Sequence, residues 1–374
     1  MSKYRFEQIA INSTEKKKPT EEDRFTYLGL EHLDSGSLKV TRFGSDVAPI
    51  GEKLVMREGD VLFGKRRAYQ KKVAIAPFDG IFSAHGMVLR PREDVIDKDF
   101  FPLFISSDYF LDAAIKISVG SLSPTINWRD LRNLEFNLPP LEEQRKLAKV
   151  LWAMNNTMEA YKKLIKVTED LVKSQFIAQF GEPISNSKNL PLVKLGDLGV
   201  WKSGGTPSRN NPAYFTGNIN WYSAGELNTM YLRGSVEKIT KIAVAESSTK
   251  MFKKGSMLVG MYDTAALKMG ILLEDSAANQ ACANIEPYSN VNLIWLYHTL
   301  QIMKDYFLAQ RHGCRQKNLS VSMLKNFEIP YAPVALQEQF VAFTQQSDKS
   351  KFEIEQALAE LTATYKRIIA ENLG

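Results

Sequence analysis

Residues 139–181 read PPLEEQRKLAKVLWAMNNTMEAYKKLIKVTEDLVKSQFIAQFG, and this stretch decides the architecture. Leu147, Leu151, Met154, Met158, Tyr161, Ile165, Thr168 and Val172 recur at alternating spacings of four and three. All but Thr168 are apolar, a narrow seam of the coiled-coil kind rather than the broader stripe of a globular helix. Pro139 and Pro140 block a helix upstream, and Gly181 with Pro183 stops it downstream. About 40 residues at ~1.5 Å each make a rod of roughly 60 Å. A rod with one apolar seam needs a partner helix.

The partner lies at the other end of the chain, in residues 334–374. Phe340, Phe343, Ile354, Ala357, Leu361 and Ile368 follow the same three-four pattern, with Ser347, Ser350 and Thr364 as weaker seam positions. Leu141-Glu142-Glu143-Gln144 is matched by Leu336-Gln337-Glu338-Gln339, which makes 330–336 a junction two residues longer than the first. The repeat extends further. Gly59-Asp60-Val61-Leu62 with Gly64 matches Gly255-Ser256-Met257-Leu258 with Gly260 at a separation of 196 residues. Gly120, Leu131, Asn133 and Glu135 match Gly313, Leu324, Asn326 and Glu328 at 193, and Tyr27 and Leu33 match Trp221 and Leu227 at 194. The expected organisation is a globular unit at 1–138, a long helix at 139–181, a second globular unit at 182–333 and a second long helix at 334–374.

Each globular unit reads as mixed α/β (α+β) with a small, mostly antiparallel sheet. Strands are expected at 25–30, on either side of the Gly59-Asp60 turn within 54–63, at 73–75 and at 87–89. A helix is expected at 100–117 and its counterpart at 293–310. The 374 residues are 44% hydrophobic and 24% charged, enough for two cores. No apolar run approaches the length of a membrane span and no signal-peptide pattern is present. Two cysteines, Cys282 and Cys314, make no disulfide framework. A cytoplasmic protein follows.

The net charge is +6, and residues 182–333 carry 16 Lys+Arg against 11 Asp+Glu. The first unit is basic only locally, at Lys65-Arg66-Arg67-Ala68-Tyr69-Gln70-Lys71-Lys72. A solvated loop is the plain reading of such a run, but interleaved Tyr and Gln add stacking and base-edge contacts that suit a polyanion. In the second unit Lys202-Ser203-Gly204-Gly205-Thr206-Pro207-Ser208-Arg209-Asn210 is a fixed, polar turn, followed by Asn220 and Tyr222. A similar loop holds Arg311, Arg315, Gln316 and Lys317. Arg, Asn, Gln, Ser and Thr are the side chains that read base edges and phosphates.

Catalytic signals fail one by one. Gly59 to Lys65 fits a phosphate-loop spacing, but Arg66 replaces the required hydroxyl and 60–63 reads as a strand. Asn137-Leu138-Pro139-Pro140 approximates an amino-methyltransferase motif with an inserted Leu and no aromatic after it. His32, His85, His298 and His312 lie apart from one another and from metal-ligand spacings. No nucleophile elbow occurs. The chain reads as non-catalytic, with no metal or cofactor of its own.

Together these features resemble the specificity subunits of type I restriction–modification systems. The residues that carry the resemblance are the repeated element at 59–64, Lys202–Arg209, Asn218-Ile219-Asn220-Trp221-Tyr222, and Leu138-Pro139-Pro140-Leu141-Glu142-Glu143-Gln144 leading into a long helix. The resemblance implies two target-recognition domains, each reading one half of a bipartite, asymmetric double-stranded DNA site. It implies that the helices pair as an antiparallel coiled coil through Leu147, Leu151, Met154, Met158, Tyr161, Ile165 and Val172 against Phe340, Phe343, Ile354, Leu361 and Ile368. They would set the spacer and dock two modification (methyltransferase) subunits, with restriction (translocase/nuclease) subunits joining that core. S-adenosylmethionine, ATP and Mg²⁺ then belong to the partners. The bottom-up alternative is a non-catalytic scaffold that binds other proteins through its helices.

Overall fold

A computed structural model describes residues 1–310 and 318–373. The chain divides into two compact units, Met1–Lys163 with Ile354–Gly374, and Leu164–Glu353. Both long helices are present, Leu141–Phe180 and Val334–Leu373, each 40 residues long.

Within the first unit, Leu151 of the central helix shares a core with Ile369 and Leu373 of the terminal helix, and Thr362 Oγ1 lies 3.4 Å from the Met158 sulfur. Within the second, Phe176 and Phe180 pack edge-on against Phe340, and Lys351 pairs with Glu169. In both units the chain direction of one helix opposes that of the other. On the central helix the expected seam from Leu147 to Val172 is buried or half-buried throughout. On the terminal helix Ser350 is exposed and Lys351 takes the half-buried place, because its stem covers the seam while its ammonium reaches Glu169.

The repeat is visible strand by strand. In the first unit a four-stranded sheet runs Ala10–Ser13, Met87–Pro91, Val61–Phe63, Val73–Ile75, all antiparallel. A second runs Lys16–Lys17, Lys53–Met56, Gly80–Phe82, Tyr27–Leu28, its last pair parallel. In the second unit Gly199–Ser203, Cys282–Pro287, Met257–Gly260, Met269–Leu272 and Tyr231–Leu232 form five strands, and Glu237–Ile239, Ile219–Tyr222 and Ala277–Ala278 form three. Gly59 and Gly255 turn into the matching strands at φ +86° and +77°, a conformation that favours glycine.

Three expectations need correction. The strand at 25–30 shrinks to Tyr27–Leu28, flanked by 3₁₀ turns at Glu22–Thr26 and Leu30–His32. The helix at 100–117 is two, Phe101–Ser106 and Asp108–Lys116, because Ser107 is extended and its hydroxyl accepts from Phe110 N. Leu293–Ile302 and Lys304–Ala309 break at Met303, there without an extended residue or a side-chain cap.

The third concerns the helix entries, which lie 193 residues apart, so the second junction carries no insertion. Gln144 corresponds to Gln337, not to Gln339. Both amides are buried and make the same clamp. Gln144 Nε2 donates to Pro139 O (2.8 Å) and Val95 O (3.1 Å) while its Oε1 accepts from Asp97 N (2.8 Å). Gln337 Nε2 donates to Ala332 O (2.7 Å) and its Oε1 accepts from Asn292 N (2.8 Å). Each glutamine satisfies backbone groups left over where the sheet hands the chain to the long helix.

Candidate nucleic-acid interface

The basic run of the first unit is the connection of a β-hairpin. Val61–Phe63 pairs with Val73–Ile75, and Gly64 N donates to Lys72 O (2.9 Å) to close a loop at 64–72. Arg67 and Lys71 sit in the left-handed region at φ 54° and 49°, on either side of a 3₁₀ turn at Ala68–Gln70. The loop is tied to a neighbouring segment by Ile126 N to Lys65 O (2.9 Å), Ala68 N to Pro124 O (3.2 Å) and Arg66 Nε to Ser123 Oγ (3.2 Å).

This geometry sorts the five cations. Lys71 Nζ lies 2.7 Å from carboxylate oxygens of both Asp108 and Asp112, and Asp108 also pairs with Lys366 at 2.9 Å. It lines a cleft of about 960 Å³ with Met158, Thr362 and Tyr365 rather than the loop's outer face. Lys72 Nζ donates to Leu30 O (2.6 Å). These two half-buried lysines hold the loop. Arg66, Arg67 and Tyr69 remain exposed, and Lys65 is half-buried.

Around Arg66 positive groups converge. Arg66 Nη1 is 3.4 Å from His85 Nε2. Burial, then Arg66, Lys65 and Lys53, hold the His85 pKa below the ordinary histidine value. Burial and then Lys16 hold Lys65 below the usual lysine range. Behind the larger effect of burial, the neighbouring cations are of one sign, which favours an anion beside them. Lys16, Lys53 and His85 were not among the sequence candidates. Nothing in their spacing joins them, since they meet through sheet pairing.

The second unit holds its polar turn tightly. Gly204 N donates to Cys282 O (2.9 Å), Gly205 N to Ala278 O (3.0 Å), and Trp221 Nε1 to Gly205 O (3.0 Å). A Cβ at Gly205 would meet Ser248 backbone at 2.5 Å, so only glycine fits. Arg209 grips Glu237 with both terminal nitrogens (Nη2 to Oε2 2.7 Å) and lies over Phe215 at 4.3 Å and Trp221 at 5.2 Å. It anchors the turn while its side chain stays exposed. Asn220 is buried, bonded to Glu274 and Ser235, and Tyr222 is buried among Ala224, Leu227 and Leu258. Both lie on the middle strand of a three-stranded sheet and face no solvent, so neither faces DNA. Thr206 is half-buried and bonded to Gln280, while Lys202, Ser208 and Asn210 are exposed. Arg311, Arg315, Gln316 and Lys317 lie outside the described residues.

A surface the sequence reading passed over sits beside that turn. Met257–Gly260 and Met269–Leu272 form the counterpart hairpin, closed by Gly260 N to Lys268 O (2.8 Å). Met261 N donates to Ala281 O (2.8 Å), so the 261–268 loop and the 204–206 turn flank the same 278–282 segment. Asp263 and Leu267 are left-handed at φ 47° and 55°, the positions of Arg67 and Lys71 in the 196-residue register. Leu319 N donates to Met261 O (2.7 Å), the counterpart of the bond from Ile126 N to Lys65 O. The only signal for it in the sequence was the aligned Gly64 and Gly260.

Among the described residues no group of three potential metal ligands occurs. Burial, and then Glu226, push the Cys282 thiol up to about 12, which leaves no thiolate. No described helix is long and apolar enough to cross a membrane.

The sequence matches the family described as the type I restriction modification DNA specificity domain twice, at residues 12–169 and 188–362. The chain belongs to this family. One relative is the type I restriction enzyme EcoR124I/EcoR124II specificity subunit of Escherichia coli, 26% identical over 160 residues, which is 41% of this chain and 40% of that protein. The MjaIX specificity subunit of Methanocaldococcus jannaschii is 30% identical over 163 residues, 41% of this chain and 37% of that protein. The matched segments thus span well under two thirds of these relatives. Among solved structures, the type I restriction–modification S subunit from M. genitalium superposes with TM-score 0.60 at 14% identity, covering 100% of this chain and 96% of that one. A chain from a study of assembly and conformational transition of the type I R-M system gives 0.52 at 18% identity, covering 99% and 97%. At these identities the superpositions establish the fold.

Proposed function

We propose that this chain is the DNA-specificity subunit of a type I restriction–modification complex. Each unit reads one half of a bipartite, asymmetric site in double-stranded DNA. The two long helices, pairing as a coiled coil, set the unspecified spacer and dock two modification subunits. Restriction subunits join that core. The chain holds no cofactor, and S-adenosylmethionine, ATP and Mg²⁺ act on the partners, in the cytoplasm.

One observation carries this reading: two hairpin loops that share strand register, closing bond and two left-handed positions present unlike side chains, five cations in 64–72 against one in 260–268. A duplicated frame with exchanged outer residues is what reading two different half-sites requires. Phosphate contacts fix register and supply salt-dependent affinity, and base-edge contacts supply choice. The test is methylome sequencing of cells that carry or lack this chain beside its modification subunit. A split methylated motif that vanishes on deletion supports the proposal. An unchanged methylome, with the modification subunit still bound, points to a scaffold.

A further inference from the structure

Beside the cationic loop of the first unit stands a short turn of the opposite chemistry. Residues 117–126, Ile-Ser-Val-Gly-Ser-Leu-Ser-Pro-Thr-Ile, carry no charge. Val119 N donates to Thr125 O (3.0 Å) and Thr125 N to Val119 O (2.9 Å), which closes the turn with Leu122 at its tip. Gly120 takes φ +112°, a value that favours glycine, and Thr125 Oγ1 donates to Ser123 O (3.0 Å). The turn is shaped by its own backbone.

Its bonds to the cationic loop then fix where the tip stands. Ile126 N donates to Lys65 O (2.9 Å) and Ala68 N to Pro124 O (3.2 Å), and Thr125 forms a backbone bridge with Arg66. Ser123, the neighbour of Leu122, supplies the hydroxyl that accepts from Arg66 Nε (3.2 Å). Leu122 is 93% exposed and Val119 65%. A leucine scattered on a surface is ordinary. This one is held out in water by a closed, braced turn, next to the exposed Arg66, Arg67 and Tyr69. An aliphatic side chain left in water contributes no burial to the folded chain, so its gain has to come from an occupant.

That occupant must be anionic beside Arg66 and Arg67 and apolar beside Leu122. Duplex DNA offers both in one groove. Phosphates line its walls, and the 5-methyl of thymine is the apolar group that a base pair presents on the major-groove floor. We infer that Leu122 is a specificity-determining residue of the first unit and reads a thymine by packing against its methyl group, while Arg66 and Arg67 hold flanking phosphates. The inference rests on the DNA-specificity reading and adds to it a residue and a base. Leu122 has none of the hydrogen-bonding chemistry by which a base reader is sought in a sequence.

The experiment uses the full chain in complex with its modification subunits. The methylome of cells carrying it gives the motif, and duplexes are then made with each thymine of that motif replaced in turn by deoxyuridine. Deoxyuridine pairs as thymine does and lacks only the methyl. Burying one such group is worth about fourfold in affinity. Wild type is expected to lose about fourfold at one thymine of one half-site, where Leu122→Ala does not distinguish thymine from deoxyuridine. On the thymine duplex Leu122→Ala should bind about fourfold more weakly than wild type, and the two losses should not add. Leu122→Met, which restores an apolar contact, should recover most of the difference. With the side chain exposed, Leu122→Ala keeps the fold. Wild type and Leu122→Ala responding alike to deoxyuridine at every thymine overturns the inference, as does equal weakening of Leu122→Ala on all duplexes, unrelated ones included. A wild-type complex that methylates no bipartite motif would sink the function itself, a separate outcome.

Discussion

Replacing Gln144 by leucine tests how the sheet of the first unit is joined to the central helix. Leucine keeps most of the volume and removes an amide that makes three hydrogen bonds at 2.8, 2.8 and 3.1 Å. Asp97 N, Pro139 O and Val95 O then lose a partner, each in a site where Gln144 itself is 1% exposed. A hydrogen bond contributes ~0.5–1.5 kcal/mol net, and orphaned buried groups add to the loss, so a cost of about 2–4 kcal/mol is expected. At ~1.4 kcal/mol per tenfold, the Asp97 amide should exchange with solvent roughly 30- to 1000-fold faster by hydrogen-exchange NMR or mass spectrometry. Gln337→Leu removes two such bonds, at 2.7 and 2.8 Å, and should accelerate Asn292 by a smaller factor. The two variants control for each other, since each leaves the other unit's clamp in place. Exchange at Asp97 that changes less than about threefold in a folded variant would refute the clamp and the 193-residue register with it.

Three other outcomes follow from the same structure. Burial holds the His298 pKa down to about 4 from 6.5, with the ring packed edge-on against Phe340 at 5.3 Å. Its neutral form is the one the fold accepts, so stability is full above pH 6.5 and is lost as pH falls from 6.5 towards 4, by up to about 3 kcal/mol. Urea titrations of the second unit should show that loss and His298→Gln should remove it; identical pH profiles would refute it. Arg66→Ala should make the slope of log affinity for duplex DNA against log salt shallower by about 0.9, while Lys71→Ala, which breaks only intramolecular ion pairs, should leave it unchanged. Equal effects would return Lys71 to the DNA surface. His85 lies below its ordinary pKa beside Arg66, Lys65 and Lys53, and a bound phosphate relieves that penalty. Affinity at fixed salt should therefore rise as pH falls below 6.5, and His85→Ala should flatten the rise.

The long helices were legible because an apolar three-four repeat bounded by Pro and Gly admits few other readings. The aligned Gly64 and Gly260, which both permit a tight closing bond, left a trace of the hairpin frame, but the loop at 260–268 was not read from it. Leu336-Gln337-Glu338-Gln339 misled because letters match where bonds do not: the buried amide belongs to the fourth residue of each helix, and only the backbone groups around it reveal which glutamine that is. Arg209, Asn220 and Tyr222 have the chemistry of DNA readers. Arg209 is exposed but paired with Glu237, and the buried places of Asn220 and Tyr222 on a central strand rule those two out, because sheet order is a long-range property. Lys16, Lys65 and His85 converge for the same reason, through pairing of strands distant in sequence.

The inward residues of the two loops explain how one left-handed position tolerates two chemistries. A left-handed non-glycine residue costs about 1–2 kcal/mol, and each loop has two. In the second unit, burial of Leu267 contributes about 1.5–3 kcal/mol towards that cost. In the first, the same position is a lysine, which cannot be buried bare, and Asp108 and Asp112 supply the carboxylates it needs. An apolar anchor and an ion-paired anchor thus hold a left-handed residue at the same place in the two hairpins, and substitution at either anchor is expected to loosen its loop.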